Sequence, residues 1–565
     1  MSGRNCALQS LRISIVFVLA AAATTIIVPR AKCPCAYFMS RAIISVTGLD
    51  PYLITCGGDA SEASLSDGAD AGKKAGRGGP IVTDINLCGD PDPPEYPVPA
   101  FCCPPASASE PVNFTFPDPG EPLRTRRPAH EAGAEEHMAK YKRAVALMKA
   151  LPRSDPRSFY QQADVHCAYC SGALWQAGHP ELPLQIHFSW LFFPFHRAYL
   201  YFFERIAAKL LGDPGFALPF WSWDVPEGMR VPAEFADVTS PLYNPRRTPW
   251  HSPPRVNDLE YMFVESNLTD EQQIQRNLWV MHKQMISNAP LPSLFLGQPY
   301  RAGDAPMPGP GSVEFCPHNT MHVWTGDVRY PNAEDMGIYY ASGRDPIFYA
   351  HHANIDRLWE AWRQIQRVDL TDPDWLDASF LFYDEEAHLV RVTVRDTLDM
   401  GRLRYTYDDG VGLPWLNARP PTTPGVKGER GHLKSVSFPV SLDAAAVTVE
   451  VRRPERLRSR QEEEEEVLVV EGVEVDSADS VKFDVYVNAV EYHKVRRGGR
   501  ELAGTFVTLK QPGREGETMK TSMRVARNDL LEDLGAERDD SVTVTLVPVK
   551  GKARIGGLRI VHVVE

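Results

Sequence analysis

Six histidines in two separated groups could do chemistry in this chain. His166, His187 and His196 form the first group, and His318, His322 and His352 form the second. They stand in HCAYC, IHFSWLFFPFHR, PHNTMH and DPIFYAHHANID, where the other residues are largely apolar and aromatic. An imidazole in such core-like sequence needs a partner for its ring nitrogens. One histidine of this kind reads as a hydrogen-bonded core residue; six in this pattern read as two metal sites. Three neutral imidazoles per site, with no carboxylate in either set, suit a soft-to-intermediate metal such as copper or zinc. A zinc hydrolase would want a carboxylate general base and a single open site with fewer imidazoles.

These side chains have to be positioned by helices. His318 and His322 are four apart and share one helical face. His187 and His196 are nine apart, so a straight helix does not align them; a bend at or after His187 is expected, with Pro194 marking the break. His352 lies in FYAHHANIDRLWEAW, an amphipathic helical run, and Asp356 follows one turn later, placed to orient the helix or a neighbouring imidazole. From about residue 129 to 362 helical patterning dominates, as in EEHMAKYKRAVALMKAL and FHRAYLYFFERIAAKLL. Proline- and glycine-rich connections interrupt it at 241–254 and 297–311. Short strands are expected between about 374 and 421, in RVTVRDTL and LRYTYDD. The acidic run 462–466 reads as a solvated, protease-accessible hinge. From about 467 onward EVLVVEGVEV, VKFDVYVNAVE, AGTFVTLKQP and SVTVTLVPV alternate, which predicts an antiparallel β-sandwich or small barrel. The fold class is therefore a mainly α-helical bundle holding the metal sites, followed by a C-terminal β-domain.

At 565 residues with net charge −13, the chain has no basic stripe to neutralise phosphates, which argues against a nucleic-acid partner. Residues 1–49 contain no Asp or Glu, and the apolar run 13–28 is short for a membrane span and suits a signal core. Residues 59–79 are rich in Gly, Ala, Ser and Asp and read as a flexible linker. Residues 1–81 are thus expected to be a removable targeting segment, for plastid import with thylakoid transfer or for a secretory route, with no membrane partner for the mature chain. Adjacent Cys102 and Cys103 do not easily pair with each other; they are placed to staple Cys88 and Cys167 in an oxidising compartment. Cys316, beside the second histidine group, has no sequence-level account. Asn113-Phe-Thr and Asn267-Leu-Thr match the glycosylation triplet by pattern alone.

The motifs FCCPP, QQADVHCAYC, QIHFSWLFFPFHR, PFWSWD, PHNTMHVWTGD, MGIYYASGRDPIFYAHHANIDRLW, DWLDASFLFYDE and KFDVYVN, in this order, resemble those of the plant polyphenol oxidases, the tyrosinase and catechol oxidase family of type 3 copper proteins. The resemblance covers roughly residues 82–565. It implies a dicopper catalytic domain over 82–421, including a DWL region from about 374, then a linker over 422–466 and a shielding β-domain over 467–565. It implies that His166, His187 and His196 hold one copper and His318, His322 and His352 the other, with His351 lining the pocket. It implies a thioether between Cys170 and His187, and disulfides Cys88–Cys103 and Cys102–Cys167. Glu314 resembles the residue that holds a water near the coppers; with Asn319 it would polarise that water into a base for monophenols. Tyr339 stands where the family usually carries a phenylalanine gate, and its ring can still stack on an aromatic substrate. Tyr405 and Tyr407 resemble the marker of the end of the catalytic domain, with Arg157 as their cation–π partner. The implied reaction is oxidation of o-diphenols to o-quinones with reduction of O2 to water, some monophenol hydroxylation, and latency until an activating protease removes the C-terminal domain. A biosynthetic aurone-forming oxidase shares this chemistry. A haemocyanin-like oxygen carrier is disfavoured by the cysteine pattern and the KFDV segment.

Overall fold

The computed structural model describes residues 78–89, 102–107, 109–131, 134–427, 436–454, 464–511 and 516–565. Of the expected targeting segment 1–81, residues 1–77 lie outside the described residues; its last residue, Ile81, belongs to the folded part, buried and accepting the Ser379 N–H at 2.9 Å. Among those described, no helix is long and apolar enough to cross a membrane.

The helical part is built on α1 (Glu135–Ala150), α2 (Phe159–Cys170), α3 (Phe192–Leu211), α4 (Asp270–His282), α5 (Thr320–Thr325) and α6 (Ile347–Gln366). Local sequence explains where they start and stop. Ser158 caps α2 by accepting the Gln161 N–H. Thr269 and Gln272 form a reciprocal capping box at the start of α4. Asp345 accepts the first N–H of α6, that of Ile347, at 3.0 Å. Helix α3 ends at Gly212, whose φ of +65° is the left-handed conformation a glycine adopts at no steric cost. The expected break at Pro194 is not a kink. Pro194 is the third residue of α3, in the first turn, where a missing N–H costs nothing, and it helps begin the helix. His187 lies ahead of α3 in a loop that reverses at Phe188, φ +61°.

Two small sheets brace the helices. Strand β1 (Val112–Asn113) pairs in parallel with β4 (Leu389–Thr393), which also pairs antiparallel with β3 (Ser379–Tyr383). Strand β2 (Arg124–Arg126) pairs in parallel with β5 (Tyr405–Tyr407).

The C-terminal part is β-rich: β6 (Val440–Leu442), β7 (Val447–Arg452), β8 (Glu465–Asp476), β9 (Lys482–Val487), β10 (Leu502–Val507), β11 (Thr518–Ala526), β12 (Ser541–Lys550), β13 (Ala553–Ile555) and β14 (Gly557–Val563). One antiparallel sheet runs β11-β8-β13-β6, with β14 also on β8; the other runs β10-β9-β12-β7. Leu468, Val470, Phe483, Val485, Phe506, Val544 and Leu546 are buried in its core. This is the antiparallel architecture the alternation predicts.

The segment expected as a linker is shorter than 422–466. Strands β6 and β7 fall within it and are hydrogen-bonded into the two sheets. The acidic run is not uniformly solvated either. Glu465 opens β8 and accepts the backbone N–H groups of Arg527 and Asn528, both at 2.8 Å. Glu466 is fully buried against Arg453 at 2.6 Å. Charge runs are solvated by default; these two carboxylates are buried because donors wait for them. Glu462 and Glu463 lie outside the described residues.

Candidate metal centre

Three elements bring the first histidine group together. His166 comes from α2, His196 from α3 and His187 from the intervening loop. A disulfide joins Cys167, next to His166, to Cys102, and a second joins Cys88 to Cys103. The His187 loop is held by Gln185, whose amide N–H donates to the Cys170 carbonyl at 2.7 Å and whose oxygen accepts the His187 backbone N–H at 3.1 Å. Gly297 lets this loop pass close by: its φ is +105°, and a Cβ there would stand 2.9 Å from the Ser189 carbonyl carbon.

The second group spans a kink. Glu314–Asn319 form a wide π-type turn with extended backbone at Cys316, and this runs into α5. His318 and His322 therefore still converge as their four-residue spacing implies, and His352 reaches them from α6. The rings of His196 and His352 stack across the two groups, 4.1 Å apart and 13° from parallel.

In five of the six rings the hydrogen bonds define which nitrogen is free. The Nδ1 atoms of His166, His196, His318 and His322 face the carbonyl oxygens of Tyr339 (2.8 Å), Phe192 (2.7 Å), Glu314 (3.3 Å) and Met336 (2.7 Å). That of His187 faces the Gln185 amide oxygen at 3.3 Å. Oxygens of this kind only accept, so each Nδ1 carries the proton and each neutral ring bares a lone pair on Nε2. Burial keeps the rings neutral: it pulls His196, with His322 nearby, down to about 3 and His322 to about 4.

The nitrogens of this arrangement fit a cation. The Nε2 atoms of His166, His187 and His196 are buried with no hydrogen-bond partner. In the second group the Nε2 of His318 lies 3.2 Å from that of His322 and 3.4 Å from that of His352. For His318 and His322, whose Nδ1 atoms carry the protons, two bare lone pairs at this distance repel. Imidazole nitrogens about 2.0 Å from one metal ion stand about 3.3–3.5 Å from each other, so the observed spacing is that of a ligand set. Three imidazoles and no carboxylate per site suit copper. Within each group the candidate ligand atoms lie within 4.8 Å of one another; the first group includes Cys170 Sγ and the second includes His351. Cys170 is a buried free thiol here.

Behind the rings lies a buried ionic network. Asp356, one turn after His352, accepts from Arg197 (2.5 Å), Arg126 (3.1 Å), Tyr405 (2.7 Å) and Tyr407 (2.6 Å). Arg197 follows His196, so this contact ties the two histidine-bearing helices α3 and α6 together. Burial alone would raise the Asp356 carboxyl; Arg197 and Arg126 outweigh it and hold it below the ordinary range. Asp356 therefore orients the helix, the first of the two roles its position suggests. The cation over Tyr405 and Tyr407 is Arg126, at 4.1 and 5.6 Å from the ring centroids. Arg157, expected there, instead pairs with Asp155 at 2.9 Å and donates to the Glu385 carbonyl. The parallel pairing of β2 with β5 puts Arg126 opposite Tyr407, and no local pattern reveals such a long-range register.

The remaining predicted residues lie around the rings. Burial pushes the Glu314 carboxyl well up; one oxygen accepts the Phe188 N–H at 2.6 Å and the other is buried without a partner. Asn319 donates to the Val507 carbonyl at 3.0 Å, and its own oxygen is unpartnered. Tyr339 packs its ring 4.3 Å from His187. Cys316 gains an account: its thiol donates to the Leu259 carbonyl at 3.2 Å.

The β-domain covers this region. Phe506 packs against Phe315 with ring centroids 5.0 Å apart. Lys482 buries its ammonium and donates to the carbonyls of Glu260 (2.9 Å) and Tyr261 (2.7 Å). Ser522 donates to the Pro308 carbonyl at 2.9 Å.

Comparison with known proteins agrees with this geometry. Residues 156–365 match the common central domain of tyrosinase, 369–421 the polyphenol oxidase middle domain, and 438–562 the chloroplastic polyphenol oxidase C-terminal domain. A chloroplastic polyphenol oxidase of Malus domestica is 49% identical over 84% of this chain and 83% of its own length. Aureusidin synthase of Antirrhinum majus is 49% identical over 83% of this chain and 86% of its own. The structure of latent apple tyrosinase superposes with a TM-score of 0.76 at 50% identity, covering 80% of this chain and 100% of that one. A latent aurone synthase gives a TM-score of 0.80 at 39% identity, over 86% and 99%. The chain thus belongs to the plant polyphenol oxidases, and its two histidine groups suit the pair of copper ions of a tyrosinase-type enzyme.

Proposed function

We propose that this chain oxidises o-diphenols to o-quinones, two diphenols giving two quinones as one O2 is reduced to two waters. The observation that carries the reading is the convergence of buried imidazole nitrogens in two groups, within 4.8 Å of one another in each, with the Nε2 atoms of the first group unpartnered and those of the second 3.2–3.4 Å apart. His166, His187 and His196 hold one copper, and His318, His322 and His352 hold the other. Bound there, the coppers supply the redox chemistry by which dioxygen takes up electrons from the phenol. The chain's own residues position the phenol, exclude bulk water and handle protons. Glu314 and Asn319 each turn one unpartnered oxygen into this buried region; a water between them would accept the proton of a monophenol, whose ordinary pKa near 10 demands such help. This supports some monophenol hydroxylation. The Tyr339 ring offers a face for the substrate. A thioether from Cys170 to His187, visible as the loss of two hydrogens in an intact-mass measurement, would fix that ring before substrate arrives.

The buried contacts of Phe506, Val507 and Lys482 support latency, relieved when an activating protease removes the β-domain. The chloroplastic relatives and the basic, acid-free charge bias of residues 1–49 support a plastid location, and the apolar run 13–28 supports transfer to the thylakoid lumen. A second reading, oxidation of chalcones to aurones, draws on the aureusidin synthase match. The test is turnover of catechol, tyramine and a chalcone by the copper-loaded full chain before and after limited proteolysis. Catechol turnover that rises on proteolysis is expected. A copper-loaded chain inert towards all three after proteolysis would reject the reading, and turnover of the chalcone alone would select the second.

A further inference from the structure

The PFWSWD segment, residues 219–224, runs beside α6 and grips it at successive positions. The Trp221 N–H donates to the Ala350 carbonyl at 2.9 Å. The Trp223 indole N–H donates to His351 Nδ1 at 3.0 Å. Asp224 accepts from Asn354 at 3.0 Å and from Arg357 at 2.5 and 2.6 Å. Helix α6 is thereby fixed in rotation, and one of these contacts reaches into the metal centre.

An indole N–H can only donate, so His351 Nδ1 has to accept. A neutral imidazole that accepts at Nδ1 carries its proton on Nε2. Five of the six proposed ligand rings have the opposite arrangement, with Nδ1 facing an oxygen acceptor. His351 lies among them, its ring centroid 5.4 Å from that of His318 and 5.1 Å from that of His322. Its Nε2 is buried and has no partner. With one nitrogen engaged by Trp223 and the other protonated, His351 has no lone pair left for a metal. What it has is a buried N–H donor at the second site, and an unmet donor there calls for an acceptor in the working enzyme.

We propose that Trp223 is a positioning residue that holds His351 as the Nε2–H form, and that this N–H donates to a phenolic oxygen of the substrate at the second metal site. The proposal rests on the copper oxidase reading above and adds a substrate contact to it. No covalent step is involved; the N–H aligns the oxygen and leaves with its proton unchanged.

Two readouts separate this from a structural role. In the metal-free full chain labelled with 15N-histidine, the His351 resonances, assigned by their loss in H351Q, show the proton on Nε2. In W223F they shift to a mixture or to Nδ1. In the copper-loaded enzyme after limited proteolysis, W223F raises the KM for catechol by about five- to tenfold, the worth of one hydrogen bond, with a smaller change in kcat. H351Q, which keeps an N–H donor, stays closer to wild type than H351F. Copper content remains two per chain in all of these. A wild-type spectrum with the His351 proton on Nδ1 overturns the proposal even if W223F fails to fold. So do equal KM values for wild type, H351Q and H351F. If the loaded wild-type enzyme turns over no phenol, the oxidase reading fails while the tautomer result stands by itself.

Discussion

Replacing Asp356 by asparagine tests how the site is braced. The wild-type carboxylate receives hydrogen bonds from Arg197, Arg126, Tyr405 and Tyr407 and is almost fully buried. Around it three guanidiniums, Arg124, Arg126 and Arg197, face three carboxylates, Glu204, Asp356 and Glu360. The D356N change would leave one buried positive charge without its counter-charge and turn an amide N–H towards groups that are themselves donors. Breaking a buried ion pair in this way costs about 3–5 kcal/mol. The pH dependence has a definite sign. Arg197 and Arg126 hold the folded carboxyl below its unfolded value, against burial, which raises it. Its contribution is therefore complete above the unfolded value of about 3.9 and is lost as pH falls through the folded value. Thermal unfolding of wild type and D356N should show a large gap at neutral pH that narrows in acid. A gap under about 1 kcal/mol at neutral pH, or one that widens on acidification, would refute the reasoning.

Arg126→Leu should destabilise the chain by about 3–5 kcal/mol, because Glu204 and Asp356 lose their buried partner, while Arg157→Leu stays within about 0.5 kcal/mol of wild type; parallel unfolding curves decide between the two arginines. Lys482→Met removes two charged hydrogen bonds, to the carbonyls of Glu260 and Tyr261, so the fraction of chains with the β-domain lifted should rise about a hundredfold, read as catechol turnover without protease; unchanged latent activity would show that the cover is held elsewhere.

The histidine groups are legible in the sequence because a polar ring amid apolar residues needs a reason, and because His318 and His322 keep a helical spacing that survives even the kink at Cys316. The β-domain is legible because its strands alternate. What escapes is decided by partners far along the chain. Arg126 cannot be chosen over Arg157 without the parallel pairing of β2 and β5. Glu465 and Glu466 look like the end of a solvated acidic run until Arg453 and the N–H groups at Arg527 and Asn528 are in place. Strand β6 is only three residues long, too short to show alternation, and it owes its conformation to β13. Pro194 reads as a breaker or as a helix start according to where the first turn falls. The role of Trp223 is hidden for the same reason, since nothing in PFWSWD announces that an indole N–H will meet His351.

The central claim is that six imidazoles hold two copper ions. Mass spectrometry of the copper-reconstituted full chain under native conditions tests it most directly. Two coppers per wild-type chain are expected, with one retained in His196→Ala and one in His322→Ala. A folded wild-type chain that binds one copper or none, or a single alanine variant that keeps both, would contradict it.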